Sequence, residues 1–104
     1  MQIYSIGRKG SNIVVPDAQK QVSRRHAELT VTNQNTYYLV DANSSNGTYL
    51  KRDGKWVPLR QGFVQPQDEV RFGAKALMRV SDLLQQARGV AAKPETELAT
   101  AVRN

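Results

Sequence analysis

The sequence predicts an all-β domain, either a sandwich or a barrel, that takes up most of the 104 residues. Two observations predict it. Short runs that alternate apolar and polar residues, or that are rich in β-branched and aromatic residues, recur up to about residue 80. Turn-forming dipeptides such as Asn46-Gly47 and Asp53-Gly54 separate these runs, because both accept a positive backbone φ at low cost. Many short strands with frequent turns are typical of these two architectures.

Eight segments are predicted as strands. Ala27–Thr32 alternates apolar and polar residues, as a half-buried strand does, and Thr36–Val40 is β-branched and aromatic. Asp68–Phe72 alternates again, and Lys75–Val80 follows as its partner after a Gly73-Ala74 break. The other predicted strands are shorter: Ile3–Ile6, Asn12–Val15, Thr48–Leu50 and Lys55–Val57.

The character of the sequence changes after Val80. Ser81 or Asp82 is placed to cap a short helix that ends at Arg88-Gly89. From Val90 to Asn104 the chain is rich in Ala, Thr and Glu and has almost no large apolar side chains, so it cannot bury enough surface to offset the entropy of ordering. We therefore predict a β domain over residues 1–82, and a short helix with a flexible tail or linker over residues 83–104.

Composition limits the function. The chain has no cysteine and a single histidine, which excludes disulfides and thiolate metal sites, and we expect neither a metal nor a cofactor. No apolar run approaches the roughly 18 residues that a membrane span requires. The N-terminus lacks the pattern of a signal peptide, and we expect a cytoplasmic protein. The net charge of +6 favours an anionic partner, namely nucleic acid, anionic lipid or phosphorylated protein.

Three stretches beside predicted strand ends carry residues suited to binding an anion: Ile6-Gly7-Arg8, Val22–Ala27 and Asn43–Thr48. Loops at one end of a sandwich can converge, and binding residues often lie there on a rigid frame. Guanidinium groups offer planar pairs of donors that match phosphate oxygens, and hydroxyl and amide groups add further donors. The residues that supply these groups are Arg8, Ser23, Arg24, Arg25, Ser45 and Asn46.

These motifs resemble a known family. Gly7-Arg8, Ser23-Arg24-Arg25-His26 and Ser45-Asn46-Gly47 follow the order and rough spacing of the forkhead-associated (FHA) domain, and Asp68–Gly73 resembles its late strand. The resemblance spans about residues 3 to 80. It implies an antiparallel β-sandwich of about ten or eleven strands that binds phosphothreonine peptides through the loops at one end.

The resemblance also implies a role for each matching residue. Arg8 and Ser23 contact the phosphate, Arg24 joins them, and Ser45 adds a hydroxyl contact. Asn46 holds the peptide backbone, whereas Gly7, His26 and Gly47 stabilise the loops. The expected partner is a phosphothreonine-containing protein or peptide that an upstream Ser/Thr kinase has modified. Arg25 occupies a variable position of the family and is predicted to be a solvated charge.

Three other functions are weighed against this one. The family usually has one more strand before the Gly-Arg strand, so an open edge or a sandwich face could support phosphate-independent assembly or self-association. Nucleic-acid binding is disfavoured because the basic residues are scattered and no nucleic-acid-binding motif occurs. An enzyme built on Ser23, His26 and Asp41 is disfavoured as well, because nothing in the sequence marks an oxyanion hole or an activated nucleophile. No catalytic residue is predicted.

Overall fold

The computed structural model describes residues 1–8, 10–16 and 22–91. In these residues nine strands are followed by one helix. The strands are β1 (Gln2–Gly7), β2 (Ile13–Val14), β3 (Ala27–Val31), β4 (Tyr37–Asp41), β5 (Thr48–Arg52), β6 (Lys55–Pro58), β7 (Gln61–Val64), β8 (Glu69–Phe72) and β9 (Ala76–Arg79), and the helix is α1 (Val80–Ala91). No helix in the described part of the chain is long and apolar enough to cross a membrane.

The strands form two sheets. One sheet has the order β2-β1-β3-β4-β7 and the other has the order β6-β5-β8-β9. All neighbouring strands pair antiparallel, apart from the parallel pair of β1 and β2. The all-β sandwich with a short C-terminal helix that the sequence predicted is confirmed, but the described residues form nine strands rather than the ten or eleven that the resemblance implies.

The core lies between the sheets and beneath the helix. Alternate residues of each central strand point into it, as Ala27 and Leu29 of β3 and Val70 and Phe72 of β8 do, all with no exposed surface. Helix α1 adds Val80, Leu83, Leu84 and Ala87 to the same cluster. The spacing of these four helical residues gives one apolar stripe that faces the sheets. The predicted division of the chain after residue 82 stays a prediction, although α1 packs on the core from its first residue. The predicted helix end at Arg88-Gly89 is wrong, because α1 continues to Ala91. The rest of the predicted tail, residues 92–104, lies outside the described residues.

The helix also covers the outer edge of β2. The side-chain amide of Gln86 accepts a hydrogen bond from the backbone N–H of Val14 and donates one to its C=O, both at 3.0 Å. These two bonds occupy edge groups that would otherwise be free to pair with another strand. The short edge strand β2 is therefore blunted at Val14 by a single glutamine.

The predicted strands agree with the structure except in one place. Every predicted segment overlaps an observed strand, but β7 was not predicted. The helix begins at Val80, one residue before the predicted cap, and the carboxylate of Asp82 accepts a hydrogen bond from the N–H of Arg79 at 3.3 Å. This is the reciprocal bond of a helix N-terminus, in which an acidic side chain in the first turn satisfies an otherwise unpaired donor.

Replacement of Gln86 by Ala tests the contribution of this edge contact. The change removes two side-chain hydrogen bonds, and we expect the free energy of unfolding to fall by about 1–2 kcal/mol. Gln85→Ala is the matched control, because Gln85 is exposed on the same helix and gains the same helix propensity. Chemical denaturation of both variants measures the difference. Equal stability of the two variants would contradict a role for Gln86 in holding β2.

Candidate functional site

A buried histidine joins two of the loops that the sequence singled out. His26 has no exposed surface. Its Nδ1 accepts a hydrogen bond from the backbone N–H of Ser23 at 3.0 Å, and its Nε2 lies 2.7 Å from the carbonyl oxygen of Gly47. Because a backbone N–H can only donate and a carbonyl can only accept, the ring proton is on Nε2. The imidazole therefore fixes the separation of the loop at Ser23 from the loop at Gly47.

The histidine ring is itself held by the core. It packs edge-on against Phe72, with ring centroids 5.5 Å apart and an interplanar angle of 82°. Backbone bonds on either side add to this: the N–H of His26 donates to the carbonyl of Ile6 at 2.7 Å, and the N–H of Ala42 donates to the carbonyl of His26 at 2.9 Å. The ends of β1, β3 and β4 thus meet at this residue.

A second bond joins the same loops nearer the surface. The backbone N–H of Ser45 donates to Oγ of Ser23 at 3.1 Å. As the acceptor of this bond, Ser23 keeps its hydroxyl hydrogen for a further partner. Ser23 is half-buried and Ser45 is exposed. The two predicted serines therefore lie side by side at the mouth of the loops.

Asp41 organises the loop that contains Ser45. Its Oδ1 accepts hydrogen bonds from the hydroxyls of Ser44 at 2.6 Å and Thr48 at 2.7 Å, and its Oδ2 accepts one from the N–H of Ser44 at 3.1 Å. Oγ of Ser44 in turn accepts the N–H of Gly47 at 3.0 Å. Burial raises the pKa of Asp41, but the hydrogen bonds from Ser44 and Thr48 outweigh it and leave the pKa below the ordinary value of 3.8.

The loop after β1 is held close to the loop at Ser23 by Gly7. A Cβ atom at this position would lie 2.1 Å from the carbonyl oxygen of Arg24, so a side chain cannot fit. The hydroxyl of Ser11 donates to that same carbonyl at 2.9 Å. Gly7 is therefore required for the close approach of two backbones. The residue directly before Arg8 is thereby packed against the backbone of Arg24.

The predicted site residues divide into a buried layer and an exposed layer. Gly7 and His26 are buried and Gly47, with a φ of 84°, is half-buried. The residues predicted to contact the ligand are exposed, apart from the half-buried Ser23. These exposed residues are Arg8, Arg24, Ser45 and Asn46, and Arg25 is exposed beside them.

The three arginines near the site, Arg8, Arg24 and Arg25, form no ion pair with another residue in the described part of the chain. Elsewhere on the surface, cations pair with carboxylates, as Arg52 does with Asp68 at 3.1 Å. Unpaired cations on converging loops create a local positive potential that attracts anions. The arrangement offers cationic and hydroxyl donors at one end of the sandwich.

The three residues of the hypothetical triad do not form a relay in this structure. The carboxylate of Asp41 accepts from Ser44 and Thr48, and both ring nitrogens of His26 are bonded to backbone groups. A general base for Ser23 would need a free ring nitrogen within hydrogen-bond distance of its Oγ. The same residues instead act as ties between the loops.

Comparison with known proteins identifies the family. The family described as FHA domain matches residues 4–73, which is more than half of the chain. The chain belongs to the FHA domain family.

Solved structures agree with this assignment. A structure from an analysis of phosphothreonine-dependent FHA domain interactions is 30% identical, with a TM-score of 0.60 and 73% of each chain covered. The FhaA FHA domain complexed with the intracellular domain of Rv3910 is 32% identical, with a TM-score of 0.57 over 68% of this chain and 71% of that one. The N-terminal FHA domain of Rad53p from S. cerevisiae, solved with a phosphothreonine peptide, is 20% identical, with a TM-score of 0.57 over 73% and 62%, and shows the shared fold. Curated protein sequences give no significant match.

The sequence did not predict the roles of several residues that hold the loops of this FHA domain in place. Ser11, Ser44 and Thr48 were not named for the site, and Asp41 was considered only for a triad. A local pattern in the sequence indicates the roles of Asp41 and Ser44. An Asp at the end of a strand with a Ser three residues later is typical of side chains that bond to nearby backbone groups. Ser11 gave no such signal, because its partner Arg24 is 13 residues away in sequence.

Asp41→Asn tests the carboxylate that organises the loop. The amide keeps one acceptor oxygen but sets an NH₂ group against the donors of Ser44 and Thr48, so we expect a loss of about 1–3 kcal/mol in the free energy of unfolding at neutral pH. Asp53→Asn is the control, since Asp53 is exposed in a turn with a φ of 53° that Asn tolerates.

The loss of unfolding free energy in Asp41→Asn should depend on pH. A carboxylate whose pKa is lowered on folding stabilises the protein above its unfolded pKa, and this contribution disappears as the pH falls through the lower folded pKa. The gap between wild type and Asp41→Asn should therefore narrow below about pH 3.8. Urea denaturation at several pH values checks this. A gap that stays constant down to pH 2 would show that the charge of Asp41 is not involved.

Proposed function

We propose that this FHA domain is a phosphothreonine-dependent interaction module that recognises a phosphorylated protein or peptide. One observation supports the proposal above the others: His26 and the bond between Ser45 and Ser23 tie two loops together, so that the exposed residues next to these bonds are close to one another in the chain's fold. Such a set of donors fits a phosphate better than it fits a neutral ligand.

The chemistry of a phosphate group matches these donors. It carries a charge of about −1.5 to −2 at neutral pH and three strong acceptor oxygens. Arg8 and Arg24 offer planar guanidinium groups that make paired, charge-assisted hydrogen bonds. Ser23 retains a hydroxyl hydrogen for a phosphate oxygen, and Ser45 supplies a second hydroxyl. Each hydrogen bond to a charged group contributes about 1.5–3 kcal/mol.

Asn46 completes the proposed site. Its side-chain amide both donates and accepts, as an extended peptide backbone does, so it suits the residues beside the phosphothreonine. Ordering a short peptide offsets part of the gain. We therefore expect a dissociation constant near micromolar, or about −8 kcal/mol.

The similar structures support the proposal. The first was studied for phosphothreonine-dependent interactions, the second holds the intracellular domain of another protein, and the Rad53p domain holds a phosphothreonine peptide. As part of the same proposal, a Ser/Thr kinase phosphorylates the partner of this domain in the cytoplasm. The domain acts by binding, and its residues Gly7, His26 and Gly47 serve to stabilise the loops.

The direct test is titration of the chain with three matched peptides that contain threonine, phosphothreonine or phosphoserine. We expect the phosphothreonine peptide to bind in the micromolar range and the threonine peptide to bind at least 100-fold more weakly, because the charge-assisted bonds are lost. The phosphoserine peptide should fall between them, since the threonine methyl group adds apolar contact.

Arg8→Ala should weaken phosphothreonine binding by about 10- to 100-fold through loss of hydrogen bonds to a charged group. Arg88→Ala is the matched control: it removes the same charge from an exposed position on α1 and should leave the affinity unchanged within about two-fold. Equal binding of all three peptides by the wild type, or equal loss in both variants, would refute the proposed site.

A further inference from the structure

A cleft lies beside the proposed phosphate site. One wall is the segment from Asn43 to Tyr49, which leads into β5, and the other is the segment Pro58–Arg60 from the end of β6 to the start of β7. The volume is about 490 Å³, and the cleft is partly open to solvent. We call it the Arg60 cleft. It is large enough to take side chains of a bound peptide rather than a single ion.

Backbone hydrogen bonds fix the two walls relative to each other. The N–H of Asp41 donates to the carbonyl of Arg60 at 2.8 Å, and the N–H of Leu59 donates to the carbonyl of Thr48 at 2.8 Å. The carboxylate of Asp41 also holds the loop through Thr48, at 2.7 Å. The backbone of Arg60 is thus attached to the same network that positions Ser45. A cleft with fixed walls can select among peptides, because little ordering is needed on binding.

The Arg60 cleft is continuous with the proposed phosphate site. Ser45 and Asn46 line it, and the N–H of Ser45 is also bonded to Ser23. A peptide whose phosphothreonine lies at Ser23 and whose backbone is held at Asn46 therefore passes the mouth of the cleft. The peptide residues on one side of the phosphothreonine therefore come within reach of the Arg60 cleft.

The cleft is lined by one acidic and one basic side chain, and only the acidic one has partners within the described part of the chain. Asp41 and Arg60 are the charged residues that line it. The two carboxylate oxygens of Asp41 already accept three hydrogen bonds from Ser44 and Thr48, whereas the exposed side chain of Arg60 makes no ion pair or hydrogen bond with any residue that the structure describes. A free guanidinium at the end of a cleft favours a carboxylate as its partner.

We propose that Arg60 is a specificity residue, which selects phosphothreonine peptides that carry an acidic side chain in the segment lying in the Arg60 cleft. This inference rests on the proposed function, because it assigns a second contact to the same bound peptide. Arg60 lies about fifteen residues beyond Asn46 in the chain and belongs to none of the motifs that identify the family. Only the tertiary structure brings it to the site.

The test is a scan of one phosphothreonine peptide in which each neutral position near the phosphothreonine is changed in turn from Gln to Glu. For the wild-type chain we expect Glu to bind about two- to five-fold more tightly than Gln at one or two neighbouring positions on a single side, the range typical of a partly exposed ion pair. In Arg60→Gln this ratio should fall to about one. Affinity for the all-Gln phosphopeptide should stay within about two-fold of wild type. Arg88→Gln, the matched control on α1, should keep the wild-type ratio.

Two further outcomes separate the claims. A Glu-to-Gln ratio that is the same in wild type and Arg60→Gln, or that is one at every position of the wild type, overturns the role of Arg60 and leaves phosphothreonine binding intact. A wild-type chain that binds phosphorylated and unphosphorylated peptides equally overturns both proposals. Added salt provides an internal check, because a preference that arises from Arg60 should shrink as ionic strength rises from 50 to 500 mM.

Discussion

The site depends on one buried imidazole with both nitrogens bonded to backbone. His26 links the N–H of Ser23 to the carbonyl of Gly47, and its tautomer is fixed by these two partners. Because the ring has no exposed surface, loss of either bond would leave a buried polar group unsatisfied, at a cost of about 1–3 kcal/mol. Loops are ordinarily the most mobile parts of a sandwich. Here His26 holds the loops at Ser23 and Gly47 at a fixed distance from each other. The backbone that carries the exposed donors of these loops is therefore fixed as well.

Residues that support the site and residues that face solvent occupy different layers. The inner layer consists of the buried Gly7 and His26 and the half-buried Asp41. Gly7 and His26 contact backbone of other loops, and the carboxylate of Asp41 accepts bonds within its own loop. The outer layer carries the arginines and hydroxyls, and its arginines form no ion pair with any residue that the structure describes. Such a division keeps donors available for a ligand while the backbone beneath them stays fixed, which is the arrangement that preorganised binding requires.

Much of the fold could be predicted from the sequence, because β-branched residues, alternation and turn dipeptides mark strands locally. β7 escaped prediction because Gly62 interrupts its four residues, and it is a strand only through pairing with β4. The residues of the proposed binding layer were found through their resemblance to a family motif rather than from composition. The roles of Ser11 and Arg60 depend on contacts between segments far apart in sequence, such as the bond from the N–H of Asp41 to the carbonyl of Arg60, and no local pattern reports such contacts.

The central claim is that one phosphate is bound where the three loops meet. Its most direct test is a two-dimensional ¹H–¹⁵N NMR titration of the chain with a phosphothreonine peptide and with its unphosphorylated twin. The account predicts that the backbone amides of Arg8, Ser23 and Ser45 shift together, with one common dissociation constant, and that they shift with the phosphorylated peptide alone. Shifts confined to another face of the sandwich, or equal shifts with both peptides, would contradict it.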